Sequence, residues 1–236
     1  CLNDEVHVAD ALVLTVPLGV LQRAPANGGI RFSPDLPQDK MEAIHRLGFG
    51  VLNKVALIFP RSFWSHRTDF FGRTVSSVAE RALFFLFFNL QPSSGAPILL
   101  ALAAADSAAA FTQLTDEQIA SRALQVLCEM FGARKVPKPT RVLVTRWGQD
   151  QYSYGSYSYL KVGSHGSDYK KVAEPVGRLF FAGEHTTAEH PATVVGAYLS
   201  GKKAASALHS VLGGGHDGAK RSVGANRSFG AIVASS

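Results

Sequence analysis

Phe180-Phe-Ala-Gly-Glu-His-Thr186, followed by Pro191-Ala-Thr-Val-Val-Gly-Ala197, decides how the rest of the chain is read. The apolar run from Arg178 to Ala182 predicts a short buried strand. Gly183 and Glu184 turn the chain out of it. A loop then leads into a helix over about Thr193 to Leu212, opened by small residues. A helix N-terminus offers unpaired N–H groups and the positive end of a dipole. Such an end suits an anionic ring or a phosphate. Taken alone, the same pattern also fits any strand–turn–helix of an α/β protein.

Outward from that stretch, Ala11-Leu-Val-Leu-Thr15 reads as a second buried strand, with Pro17-Leu-Gly-Val-Leu21 turning the chain away from it. These two pieces look like parallel-sheet material. Between them, Pro25 to Pro37 reads as a loop, with Gly28, Gly29 and three prolines. Met41, Ile44 and Leu47 recur at helical spacing over Gln38 to Leu47, and Gly48 ends that helix. Asn53–Phe59, Leu83–Leu90 and Ile98–Ala104 read as strands. Thr115-Asp-Glu-Gln118 is a capping-box signature. It precedes a helix carrying Ile119, Ala123, Val126, Leu127 and Met130, closed by Gly132. Arg141 to Trp147 alternates like a strand. The expected fold class is α/β with α+β character: a nucleotide-type parallel sheet interrupted by a mixed-sheet domain.

With 236 residues, 46% apolar and 18% charged, the chain can build a sizeable core. Two cysteines, Cys1 and Cys128, make neither a disulfide framework nor a zinc site of the usual spacing, and a reducing compartment is expected. The net charge of +6 partly reflects Lys220, Arg221 and Arg227 in a Gly/Ser-rich tail, so direct DNA binding is not expected from this part. The most apolar stretch, Ala96 to Phe111, carries Asp106 and is shorter than the roughly 20 residues of a membrane span. No signal peptide is expected, and the chain reads as a piece cut from a longer protein. His185 and His190, with Glu184 and Glu189, lack the spacing of a helical zinc site, so no metal is expected. Gly213-x-Gly215-x-x-Gly218 matches the dinucleotide fingerprint in letters only, since it follows a helix instead of a strand.

Phe181-Ala-Gly-Glu-His-Thr186 with Ala192-Thr-Val-x-Gly-Ala197 resembles the C-terminal flavin-binding motif of the flavin amine oxidases. Leu47-Gly-Phe-Gly-x-Leu-Asn-Lys-Val55, Gly155-Ser-Tyr-Ser-Tyr159 and Thr15-Val-Pro-Leu-Gly-Val-Leu21 resemble one branch of it, the lysine-specific histone demethylases. The resemblance covers about Ala9 to Leu212. It implies an FAD-binding Rossmann-like domain contributed by residues 1–24 and 173–212. It also implies a substrate-binding amine oxidase domain over 25–172, and residues 213–236 are expected to be a disordered tail.

The same resemblance implies oxidative demethylation of methylated histone lysine with release of hydrogen peroxide, on a histone H3 tail in the nucleus. A chromatin corepressor complex would be reached through regions outside this chain. A polyamine oxidase is the alternative within the enzyme class, and a truncated, non-catalytic binding chain is the alternative outside it. By resemblance, Glu184 would bind the ribityl–pyrophosphate part of FAD, while Thr193 and Val194 would present N–H groups to the flavin ring. Thr15, Val16 and Pro17 would line the cofactor crevice. Lys54 is the catalytic candidate, holding a water against flavin N5. Trp147 and Tyr157 would wall the ring and the substrate channel. Thr193 stands where many relatives carry an aromatic, opening that side of the substrate site to a bulky peptide lysine. Phe88 stands where animal demethylases are expected to have Trp. The bland readings are a solvated edge for Lys54, a core position for Trp147 and a surface turn for Tyr157.

Overall fold

The computed structural model describes residues 6–75, 77–213 and the backbone of 231–234. In chain order the elements are β1 (Leu12–Leu14), α1 (Leu18–Leu21), β2 (Ile30–Ser33), α2 (Gln38–Arg46), β3 (Gly48–Gly50), β4 (Leu52–Ile58), β5 (Phe70–Gly72) and β6 (Leu83–Asn89). Then follow α3 (Gln91–Ser94), β7 (Ile98–Ala104), α4 (Ala105–Ala109), α5 (Asp116–Phe131), β8 (Arg141–Val144) and β9 (Tyr157–Tyr159). The chain continues with α6 (Gly166–Ala173), β10 (Leu179–Phe181), α7 (Val194–Gly213) and β11 (Ala231–Ala234). They fall into two compact units, one holding the described residues up to Phe49 and from Gln151 onward, the other Gly50–Asp150.

In the first unit β1 and β10 pair in parallel, Leu12 opposite Leu179 and Leu14 opposite Phe181. Successive side chains of a strand point to opposite faces, and both faces are covered. Phe180 and Ala182 pack with Ala11, Val13, Ala204, Ala207 and Leu208, which places α7 on one side. Leu14 and Phe181 pack with Ile44, Leu47, Tyr169 and Val172, which places α2 and α6 on the other. Helices on both faces of a parallel pair make this the expected α/β arrangement. The α2 and α6 residues share that core, so residues 25–49 and 151–172 sit in the compact unit that also holds β1 and β10.

The second unit is a five-stranded sheet in the order β5-β6-β7-β4-β8, with every pairing antiparallel where a mixed sheet was expected. Val55, Leu57, Leu99, Ala101 and Phe87 form its buried face against Ile119, Ala123, Val126 and Leu127 of α5. The capping box of α5 is formed as the sequence indicates: Gln118 N–H donates to Thr115 Oγ1 at 3.3 Å and Thr115 N–H to Gln118 Oε1 at 2.9 Å.

Four features depart from the sequence reading. The loop expected over Pro25 to Pro37 contains β2, antiparallel to β11 with Ser33 opposite Ala231 and Ile30 opposite Ala234. β11 also puts a strand inside the tail expected to be disordered; residues 214–230 and 235–236, with the false fingerprint, lie outside the described residues. The strand expected to reach Trp147 stops at Val144, and Trp147 opens a short 3-10 turn. Tyr157 lies on β9, which pairs with β3, so it is not in a surface turn.

Candidate active site

Within the first unit, the carboxyl ends of β1 and β10 lie side by side. Ala182 N–H donates to Leu14 O at 3.0 Å, so Thr15–Pro17 and Gly183–Glu184 leave the parallel pair at the same end. That end of an open parallel sheet is where ligands bind. Thr15 is exposed, and Val16 and Pro17 are half-buried.

Gly183 has φ +146, a conformation side chains rarely adopt, and a Cβ there would lie 2.5 Å from the His185 ring. Its N–H donates to Ser200 Oγ at 2.9 Å, tying the turn to α7. Glu184 then accepts three hydrogen bonds: Ser158 N–H at 3.0 Å, Ser158 Oγ–H at 2.6 Å and Ala192 N–H at 2.7 Å. The carboxylate thus joins β9 to the segment that opens α7. Ser158 is 2% exposed and also shares a 3.2 Å hydrogen bond with the Tyr169 hydroxyl. Burial, with the Glu184 carboxylate nearby, pushes that phenol above its ordinary value.

Thr193 is the N-cap of α7. Its Oγ1 accepts from Gly196 N–H at 2.9 Å and donates to His190 O at 2.8 Å. The cap satisfies the third helical N–H and leaves those of Val194 and Val195, which have no intrahelical acceptor. Val194 is 88% exposed. Gly196 is needed for a different reason from Gly183: a Cβ there would lie 1.9 Å from His190 O. The loop crosses directly over the first turn of α7.

Two buried bases support this arrangement. His185 is 2% exposed, and burial pushes its imidazole down to about 4, against the pull of the Glu184 carboxylate. The Lys40 ammonium donates to the carbonyls of Lys171, Val172 and Glu174 at 3.1, 2.7 and 2.6 Å and lies 3.9 Å over the Phe181 ring. It helps close the C-terminus of α6, where Lys171 O also accepts from the Glu174 N–H at 3.3 Å. Its desolvation lowers its pKa to about 8, partly offset by the Glu174 carboxylate.

Of the sequence-derived candidates, Thr15, Val16, Pro17, Tyr157, Glu184, Thr193 and Val194 belong to the first unit, and Lys54 and Trp147 to the second. Lys54 is half-buried on β4, an interior strand, so it is not on a sheet edge. Its N–H donates to Thr145 Oγ1 at 2.8 Å. Trp147 is 41% exposed, which removes the core reading, and its N–H donates to the buried Asn53 Oδ1 at 3.0 Å. Asn53 Nδ2 in turn donates to Ala108 O at 3.1 Å. Asn53 therefore fixes the backbone around Trp147 and is next to Lys54 in sequence. Phe88 is half-buried between Phe70 and Leu100 in the sheet.

Sequence reasoning passed over Asn53, Ser158, Lys40 and the burial of His185. The usable signal was a polar residue in an otherwise apolar or aromatic strand, as at Asn53 and Ser158. Among the described residues, no cluster of three or more His, Cys, Asp or Glu side chains could hold a metal. No described helix is long and apolar enough to cross a membrane.

The chain is 49% identical over 207 residues to lysine-specific histone demethylase 1 homolog 1 of Arabidopsis thaliana, covering 86% of this chain and 24% of that protein. It is 47% identical over 199 residues to the protein of the same name from Oryza sativa subsp. japonica, covering 83% and 23%. The chain thus spans about a quarter of these relatives. Among solved structures, wild-type putrescine oxidase bound to putrescine superposes with a TM-score of 0.68 at 20% identity, over 85% of this chain and 43% of that one, which shows a shared fold. The model of the flavin-containing amine oxidoreductases matches residues 1–209, and the chain belongs to that family.

Proposed function

We propose that this chain supplies the flavin-ring end of the active site in an FAD-dependent amine oxidase that demethylates histone lysine in the nucleus. The observation that carries the reading is the opening of α7. Thr193 caps Gly196 and leaves the N–H groups of Val194 and Val195 at the positive end of a 20-residue helix. Such donors stabilise negative charge that develops on a neighbouring group. FAD, when bound, supplies the acceptor for the hydride lost by the carbon next to the amine, and water then hydrolyses the resulting imine while oxygen is reduced to hydrogen peroxide.

The chain's own residues divide the remaining work. Thr15–Pro17 line the crevice at the carboxyl end of β1. Glu184 holds Ser158 and Ala192, and through them fixes the loop that presents Val194. Tyr157 and the small Thr193 leave room for a peptide lysine, and Trp147 walls the ring. Lys54 positions water and moves a proton during the oxidative half of the cycle. The relatives named as histone demethylases support a histone-tail substrate, and partners of a corepressor type would dock on parts of the protein beyond this chain.

The decisive experiment uses the full-length protein. Peroxide and formaldehyde should appear with a methyl-lysine histone H3 peptide, and not with spermine. Turnover of spermine without turnover of the peptide would replace the demethylase reading by a polyamine oxidase.

A further inference from the structure

β2 has its inward face and both ends fixed by neighbouring residues. Ile30 and Phe32 are half-buried, and Phe32 packs on the core of the first unit; Arg31 and Ser33 are exposed. This alternation fixes which face points inward. The strand is held at both ends. Gly29 N–H donates to Ala24 O at 3.1 Å before it, and the buried Leu36 leads into α2 after it. Its extended backbone is therefore set by its neighbours before any partner arrives, which lowers the entropic cost of adding one.

Among the described residues, β2 pairs with no strand of the protein body. Its sole ladder partner is β11, from the far end of the chain. Four consecutive pairs form, Ala231 with Ser33, Ile232 with Phe32, Val233 with Arg31 and Ala234 with Ile30. Pro34, the next residue after β2, has no N–H to donate. A lone pair of strands is marginal in water. A tethered segment gains from an effective concentration in the millimolar range for short linkers. An untethered segment of the same chemistry can then compete for the same edge.

We propose that the edge of β2 is a strand-acceptor site for an extended, proline-free peptide segment, filled in cis by Ala231–Ala234 of the chain itself. Recognition rests on backbone hydrogen bonds along Ile30–Ser33, the mode by which a peptide adds a strand to an exposed sheet edge. The site is independent of the amine oxidase reading, since no residue assigned to the cofactor or substrate takes part.

The test follows amide hydrogen exchange at Ile30–Ser33 in the full chain. In an antiparallel ladder, opposing residues alternate between hydrogen-bonded and non-hydrogen-bonded pairs. The double substitution Ile232→Pro and Val233→Pro therefore removes a ladder donor whichever residue carries it. Exchange at β2 should quicken by about tenfold or more, the factor for a lost net hydrogen bond of about 1.4 kcal/mol. Exchange at Phe180 and Phe181 of β10 should not change. A millimolar peptide of residues 229–236, added to the double variant, should slow β2 exchange again; the same peptide with both prolines should not. Unaltered exchange in the double variant overturns the cis contact. A native peptide that restores nothing, or a proline peptide that restores as much, overturns the acceptor site. Sedimentation run alongside separates a strand exchanged between two copies: protection seen only in a dimer overturns the cis assignment.

Discussion

Replacing Glu184 by alanine removes the acceptor of three hydrogen bonds at once; the Ser158 hydroxyl keeps the Tyr169 hydroxyl as a partner, but the buried Ser158 N–H loses its acceptor. A buried donor left without a partner costs about 1–3 kcal/mol. Glu184→Ala should therefore lower the thermal midpoint and, in the full-length protein, reduce the flavin retained after dialysis. Retention and midpoint both at wild-type level would reject the scaffold role. Lys54→Met tests the other half of the chemistry. It should keep flavin and fold while turnover falls by roughly 10²–10⁴-fold, the range of a lost acid–base group; wild-type rates of flavin reduction and reoxidation would remove Lys54 from the mechanism. His185 makes a pH prediction. Its folded pKa, about 4, lies below the ordinary 6.5, so the unfolded chain takes up a proton first as pH falls. The stability from keeping it neutral is whole above pH 6.5 and is lost progressively toward pH 4. His185→Gln should flatten the fall in thermal midpoint between pH 7 and 5, and an equally steep fall in the variant would assign it to other groups.

Helix α7 shows how much a local sequence can disclose. Its start was legible from Pro191-Ala-Thr193, because an N-cap acts within three residues, and Thr193 does cap Gly196. The capping box of α5 and the apolar runs of β1 and β10 were legible for the same reason. β9 was not read as a strand, because Ser158 is buried through a carboxylate 26 residues further on. α6 was missed because Tyr169 and Val172 are its only large buried apolar residues, too few to give a period. β2 was hidden between glycines and prolines, and its partner strand lies some 200 residues away. In the site, Glu184, Thr193 and Val194 came from one motif; Lys40 did not, since its acceptors lie 131 to 134 residues away. At this scale Gly196→Ala is the informative change. The new methyl meets His190 O at 1.9 Å, a backbone atom that cannot yield cheaply. A loss of about 1–3 kcal/mol is expected in denaturant unfolding, with faster amide exchange in the first turn of α7. A neutral result would show that the loop over that turn is free to shift.

For the molecule taken as a whole, the outward face of α7 stands out. Val194, Val195, Tyr198 and Leu199 are 88, 58, 66 and 44% exposed and form one stripe by helical spacing. Contiguous apolar surface of this kind binds other apolar surface. The isolated chain should therefore enhance the fluorescence of a hydrophobic dye such as ANS, and Tyr198→Lys with Leu199→Lys should abolish most of that signal. Exposed changes of this kind usually shift stability by no more than about 0.5 kcal/mol. Dye binding unaffected by both lysines would place the apolar surface elsewhere. The buried ammonium of Lys40 gives the same molecule an internal clock. Its nitrogen donates to three carbonyls and lies against an aromatic ring, so an amine-modifying reagent reaches it only when α2 and α6 come apart. The acylation rate of Lys40, set against that of the exposed Lys203, would thus time how often the helical layer opens, with no engineered probe.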